Sequence, residues 1–82
     1  MGQVSFTGFL TSGIVDIGGE TTGWALETRD SGNIEVDMSE ISEPQRFSGR
    51  HVTITGVFRT EPYIERGSIE ILVAQTIKVV AA

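Results

Sequence analysis

Alternation of apolar and polar side chains is the feature of this sequence that most restricts its fold. It runs through four segments, at residues 4–10, 34–38, 52–58 and 69–73. A period of two is the spacing of side chains that share one face of a β-strand, so each segment predicts a strand with one buried face. In the last segment we expect Ile69, Ile71 and Val73 to face inward, although Leu72 makes the other side apolar there as well.

Turn residues between the segments set the bounds of five predicted strands. Residues 30–33, with the sequence Asp-Ser-Gly-Asn, predict a tight hairpin in which Gly32 has a positive φ. Pro62 and Gly67 bracket a predicted loop over residues 60–67. From the positions of these turn residues we expect strands at 4–17, 23–29, 33–38, 51–59 and 68–79, with a break in the last one near Gln75.

The segment between the third and fourth predicted strands does not alternate. Ser39 or Ser42 offers an N-cap there, and Pro44 is compatible only with a first helical turn. We therefore expect at most one short helical turn, with Ile41 or Phe47 closing an open end of the fold.

Two stretches of the sequence resemble each other, at residues 4–10 and 52–58, and each contains a glycine after two inward residues. Glycine at that position permits the bulge or sharp coiling that a small barrel needs. We expect the strands around Gly8 and Gly56 to be neighbours where a barrel closes. Chance similarity between two strands rich in β-branched residues is the alternative.

The size and composition of the chain favour a closed sheet. A chain of 82 residues buries only roughly 60–65% of its unfolded surface. The sequence has no cysteine that could form a disulfide or a thiolate metal site. A barrel has no free sheet edges to protect. We therefore predict one all-β domain over residues 1–82, a five-stranded Greek-key barrel.

Two motifs carry a resemblance to a known family. They are Gly-Gly-Glu-Thr-Thr-Gly-Trp-Ala-Leu at 18–26 and Gly-Arg-His-Val-Thr-Ile-Thr-Gly at 49–56. With the predicted order of strands, the chain is similar to small stand-alone bacterial OB-fold proteins of uncharacterised function. In the OB-fold a helix or loop joins the third and fourth strands of such a barrel. The resemblance covers most of the chain and implies no catalytic residue.

No motif for catalysis, metal binding or cofactor binding stands out in the sequence. Residues 18–23 match the start of a phosphate-binding loop, but Trp24 and Ala25 follow where that loop needs Lys and Ser or Thr. His51 is the single histidine, and nothing in its spacing indicates a nucleophile or an orienting acid. We expect no enzyme, no cofactor and no metal, and we expect the eleven carboxylates to form a solvated surface.

Charge and hydropathy restrict the partners and the compartment. The net charge of −5 argues against a partner held mainly by its phosphate backbone. The apolar runs are far shorter than the ~20 residues that span a bilayer, so we expect no membrane partner. Residues 1–3 lead straight into a predicted strand without a signal-peptide pattern. We therefore expect a cytoplasmic protein, although a chain trimmed of its leader would look the same.

Nucleic acid is the ligand that the resemblance suggests, on the outer face of the second and third strands. Parity turns Trp24 and Leu26 inward, which leaves that face without an aromatic residue. The charged residues left on it are Glu27, Arg29, Glu35 and Asp37. Single-strand binding needs stacking aromatics and a basic groove. A single-stranded nucleic-acid-binding OB domain is therefore the alternative function.

The loop between the fourth and fifth predicted strands is the preferred site. Tyr63 and Ile64 lie there between Arg59 and Arg66, and tyrosine and arginine often anchor protein interfaces. We expect a non-enzymatic binding module that recognises a protein or peptide through the 1–2 and 4–5 loops. Alternatively, Ile64 tucks under the loop and Tyr63 covers a barrel end, or the domain is an accessory part of a larger assembly. The candidate binding residues are Tyr63, Arg66, Arg59, Arg29 and Glu20.

Overall fold

Strands make up most of the chain. The computed structural model describes residues 2–15, 19 and 21–80. The strands are β1 (Val4–Ser12), β2 (Trp24–Thr28), β3 (Asn33–Asp37), β4 (His51–Tyr63) and β5 (Gly67–Val79), and a 3-10 turn spans Pro44–Phe47. Within the described residues, no helix has the length and apolar character needed to cross a membrane.

The five strands form a closed barrel in the order β1-β2-β3-β5-β4, with β4 pairing back to β1. All neighbours are antiparallel except β3 and β5, which run parallel. The 3-10 turn lies in the connection between β3 and β4. The predicted all-β, five-stranded barrel with one short helical turn between the third and fourth strands is therefore confirmed.

The end of β1 differs from the prediction. The strand stops at Ser12 rather than at residue 17, because Gly13 takes a φ of 75° and turns the chain out of the sheet. Residues 16 and 17 lie outside the described part of the chain. The 1–2 connection therefore begins at Gly13.

The predicted loop over residues 60–67 is wrong. β4 continues to Tyr63 and β5 begins at Gly67, so the two strands form a ribbon whose turn is residues 64–66. Pro62 is tolerated inside β4 because β1 pairs with β4 only as far as Gly56. Beyond that point no β1 residue needs a donor from β4, and proline is compatible with such an edge.

The 3-10 turn is capped differently from the prediction. Pro44 occupies its first turn, as expected, but the residue before it is Glu43, with a φ of 50° and no capping side-chain hydrogen bond. Neither Ser39 nor Ser42 is the N-cap. Ile41 and Phe47 are both partly buried and pack against the barrel core, as the prediction that one of them closes the fold requires.

Gly8 and Gly56 mark the strands where the barrel closes. β1 and β4 pair antiparallel, with Val4 opposite Gly56 and Gly8 opposite Val52. A Cβ at Gly8 would overlap the carbonyl oxygen of Glu27, and one at Gly56 would overlap the carbonyl oxygen of Val73. The prediction that the two glycine-marked strands are neighbours is confirmed, and backbone crowding is the reason for both glycines.

The inward side of β5 was predicted incorrectly. Leu72 lies opposite Val36 and belongs to the core, so Ile71 and Val73 face outward beside Glu35 and Asp37. The register shifts at Thr55 and Gly56, which pair with Thr76 and Ala74 and leave Gln75 without a cross-strand partner. After this bulge the inward residues change parity, and Ile77 packs against the core. The predicted irregularity near Gln75 is this bulge.

The core is aliphatic. Its buried members are Leu10, Leu26, Ile34, Val36, Met38, Val52, Ile54, Leu72 and Ala74. Full burial of a leucine or isoleucine side chain stabilises the folded state by roughly 1.5–3 kcal/mol, so these contacts dominate the stability of a barrel without disulfides. Trp24 is half-buried and packs against this cluster, in agreement with its predicted inward parity.

Candidate functional site

A trough of about 520 Å3 lies between the 1–2 connection and the β4–β5 ribbon. Ile14 and Thr21 border it on the side of the connection, and Arg66 and Ile69 border it on the side of the ribbon. Glu35 of β3 lies between these two borders. The trough is therefore built from the two loops that the sequence selects and from the strand between them.

Glu35 holds the two borders of the trough together. Its Oε2 accepts a hydrogen bond from the backbone N–H of Thr22 at 3.0 Å. Its Oε1 lies 2.9 Å from Nη2 of Arg66. The Glu35 side chain is only 12% exposed, so the expectation that it forms part of a solvated acidic surface is wrong.

Thr22 fixes the end of the 1–2 connection to the barrel wall. Its Oγ1 donates to the carbonyl oxygen of Val36 at 2.6 Å. Gly23 follows with a φ of 87°, and its N–H donates to Oγ1 of Thr21 at 3.1 Å. Local side-chain hydrogen bonds of this kind are typical of tight turns rich in threonine and glycine. The Thr-Thr-Gly stretch thus sets where the 1–2 connection enters β2.

Arg66, on the opposite border, contacts Tyr63 at the end of the ribbon. The Arg66 guanidinium lies over the Tyr63 ring, 5.2 Å from its centroid, which is within the range of a cation–π contact. Partial burial raises the pKa of Tyr63 above its ordinary value, and the carboxylates of Glu35 and Glu61 add to that rise. Through its contacts with Tyr63 and with Glu35, Arg66 holds the end of the ribbon close to β3.

Arg59 of β4 makes a second contact between the ribbon and β3. Its Nη1 donates to Oδ2 of Asp37 at 2.6 Å, and its Nε lies 3.3 Å from Oε1 of Glu61. Partial burial by itself would raise the pKa of Asp37, but hydrogen bonds from Ser39 and Arg59 together hold it below its ordinary value. Asp37 is half-buried, so it too departs from the predicted solvated surface.

Apolar side chains project into solvent in the two segments that border the trough, the 1–2 connection and the β4–β5 ribbon. Ile64, at the turn of the ribbon, is 96% exposed, and Val15 in the 1–2 connection is 87% exposed. Ile14 beside it is also exposed. The alternative in which Ile64 tucks under the loop is therefore wrong, and Tyr63 is half-buried against Arg66.

The five predicted binding residues do not all converge. Tyr63, Arg66 and Arg59 share the outer side of the ribbon. Arg29 lies in a different groove, which it lines with Phe9 and His51. Glu20 lies outside the described residues.

Sequence reasoning missed Glu35, Ile14 and Val15 as site residues. Parity places Glu35 on the outer face, and nothing in its own strand shows that Arg66 reaches it from the ribbon. Ile14 and Val15 fall inside the predicted first strand, residues 4–17. The signal against that placement was Ser12-Gly13, a turn-forming pair that ends β1.

Metal-binding side chains do not cluster in the described part of the site. Across residues 2–15, 19 and 21–80, His, Asp and Glu side chains nowhere gather in a group of three or more that could hold a metal ion. What the trough offers instead is apolar surface beside carboxylate and guanidinium groups. No protein-family profile matches this chain, and no curated protein shows significant similarity to it.

Proposed function

We propose that the protein is a binding module that recognises a protein or peptide through the 1–2 connection and the β4–β5 ribbon. The observation that carries this proposal is the exposure of Ile64 and Val15 next to the trough, since Val15 follows Ile14 and Ile64 lies two residues before Arg66, both of which line it. An isoleucine that is 96% exposed at the tip of a turn contributes nothing to the core. Apolar groups displayed around a concave surface are typical of interaction sites.

The charges around the trough define the partner's chemistry. On the outer face of β3 and on the ribbon, two guanidinium groups, from Arg59 and Arg66, stand against five carboxylates. Those carboxylates belong to Glu35, Asp37, Glu61, Glu65 and Glu70. An excess of three negative charges favours a partner with lysine or arginine beside its apolar residues. We infer a basic, partly apolar segment of a protein.

The strand order supports assignment of this barrel to the OB type. β1-β2-β3-β5-β4 is a five-stranded closed barrel with its irregular connection between β3 and β4. OB domains bind their ligands between the 1–2 and 4–5 loops, which is where the trough lies. The lack of cysteine in the sequence supports a reducing compartment such as the cytoplasm.

A selection from a library of displayed linear peptides tests the proposal. The wild-type protein is the bait, and the variant Ile64→Thr serves for counter-selection. We expect selected peptides to be rich in apolar and basic residues. Ile64→Thr should weaken their binding, and Phe9→Thr, a matched control on another face, should leave it unchanged. Peptides that bind both variants equally well, or no enriched peptide at all, would contradict it.

Single-stranded nucleic acid is the second candidate, and one observation favours it. Phe9 is an exposed aromatic, and Arg29 and His51 line the same groove. Glu27 and Asp30 line it too, which opposes a phosphate backbone. Fluorescence anisotropy with labelled oligonucleotides at low salt tests this candidate. Binding that weakens steeply with salt and is lost in Phe9→Thr would support it, and no binding would end it.

A further inference from the structure

The β4–β5 ribbon extends beyond the closed part of the barrel. β4 pairs with β1 only as far as Gly56, and β5 pairs with β3 only through residues 71–73. The two strands nevertheless pair with each other out to Tyr63 and Gly67. In the described part of the chain, residues 67–70 of β5 therefore have a strand neighbour on one side only.

The two edges of this ribbon are protected to different degrees. The β4 edge contains Pro62, which cannot donate a hydrogen bond, and the charged pair Arg59 and Glu61. Proline and charged side chains are the usual means of keeping an edge from pairing with another chain. The β5 edge, with the sequence Gly-Ser-Ile-Glu at residues 67–70, contains no proline and only one charge. It is the more open of the two.

The open edge borders the trough. Ile69 and Glu70 line one side of the trough, and Ser31 and Asn33 of the β2–β3 hairpin also line it. The parallel pairing of β3 and β5 begins only at Glu35 and Ile71. The barrel wall is thus incomplete between the start of β3 and the start of β5.

A side chain of the barrel interior is exposed beside this opening. Phe58 lies opposite Leu72, so it has inward parity. It contacts Phe6 edge-on, with ring centroids 5.7 Å apart, and both rings line the trough. Phe58 is nonetheless 38% exposed. An interior aromatic accessible through a gap in the wall is a surface that an apolar side chain of a partner would cover.

We propose that the partner binds as an additional β-strand along residues 67–70 of β5. This inference rests on the proposed function and specifies its mode. An added strand lies about 4.8 Å from its neighbour, and its side chains alternate between two faces. One set covers Phe58 and Phe6 beside the exposed carboxylate of Glu70, which shares the parity of Leu72, and the other set lies on the outer face beside Ile69. The partner is therefore an extended segment with apolar residues on both faces and a lysine or arginine near Glu70.

Backbone methylation of a bound peptide tests the mode directly. A linear peptide selected on the wild-type protein is resynthesised with a methyl group on each backbone nitrogen in turn. Affinity is read from the fluorescence of Trp24, the single tryptophan, which lines the trough. If the peptide binds as an added strand, we expect its affinity to fall by roughly 10-fold or more when alternate residues are methylated, because only every second N–H faces β5.

The outcomes separate this inference from the function on which it rests. Two results would overturn strand addition while peptide recognition stands. In one, methylation weakens binding equally at consecutive residues, and in the other it weakens binding only at the residues whose side chains contact the trough. If no selected peptide discriminates against Ile64→Thr, the proposed function itself fails. Hydrogen exchange on the wild-type complex gives a second readout. Strand addition expects new amide protection within residues 67–70, and protection confined to β4 would contradict it.

Discussion

Arg59 on β4 reaches across β5 to Asp37 on β3, with Nη1 and Oδ2 2.6 Å apart. Because β5 lies between these two strands, the ion pair passes over its outer face, where Ile71 and Val73 are buried. It connects strands that share no backbone pairing. A charged contact therefore covers apolar residues that a small barrel would otherwise leave in water.

We expect Asp37→Asn to lower the free energy of unfolding at neutral pH by roughly 0.5–1 kcal/mol, since partly exposed ion pairs contribute about that much. The pKa of Asp37 is lowered in the folded state, so its stabilisation is present above the ordinary value of 3.8 and is lost as the pH falls through the folded value. Urea denaturation of both proteins should show a difference at pH 7 that shrinks near pH 3. A difference that grows in acid would contradict this assignment.

We expect Gly56→Ala to destabilise the barrel severely, by roughly 3 kcal/mol or more, because its Cβ would overlap backbone rather than a movable side chain. Gly8→Ala should act in the same direction through the carbonyl oxygen of Glu27. Gly2→Ala is the matched control, since a Cβ there meets nothing within 4 Å. Thermal and urea denaturation measure all three, and a Gly56→Ala protein as stable as Gly2→Ala would refute the crowding.

We expect Glu35→Ala to loosen both borders of the trough at once. The Thr22 amide loses its acceptor and Arg66 loses the carboxylate it contacts. Hydrogen exchange should become faster at Thr22, and limited proteolysis should cut faster in the 1–2 connection and in the turn at 64–66. Glu70→Ala removes an exposed carboxylate from the same trough and should change neither rate. Equal effects of the two substitutions would argue against a linking role for Glu35.

We expect Ile64→Thr to separate binding from stability. The side chain is 96% exposed, so its replacement should change the free energy of unfolding by less than about 0.5 kcal/mol. The affinity for a selected peptide should fall at the same time. Urea denaturation and Trp24 fluorescence titration give the two quantities, and a variant that lost stability along with affinity would remove Ile64 from the proposed interface.

The sequence was most informative where local pattern and local crowding coincide. The number of strands, the hairpin at Gly32 and the neighbouring positions of Gly8 and Gly56 followed from parity and glycine placement. The ion pairs of Glu35 and Asp37 could not be predicted, because their partners come from a distant ribbon. The inward side of β5 was predicted incorrectly for a related reason. Its outer face is apolar only because Arg59 covers it.

The bulge at Gln75 gives the two halves of β5 different sequence requirements. Before it, the strand needs apolar residues on both faces, as Ile71, Leu72 and Val73 show. After it, Thr76 and Lys78 face water while Ile77 faces the core. Gln75 has no cross-strand partner, and this one extra residue separates the two patterns. If Gln75 were paired in a regular ladder, the alternation set by Leu72 and Ala74 would turn Thr76 inward and Ile77 outward, so the residues after Gln75 are compatible with this barrel only because of the bulge.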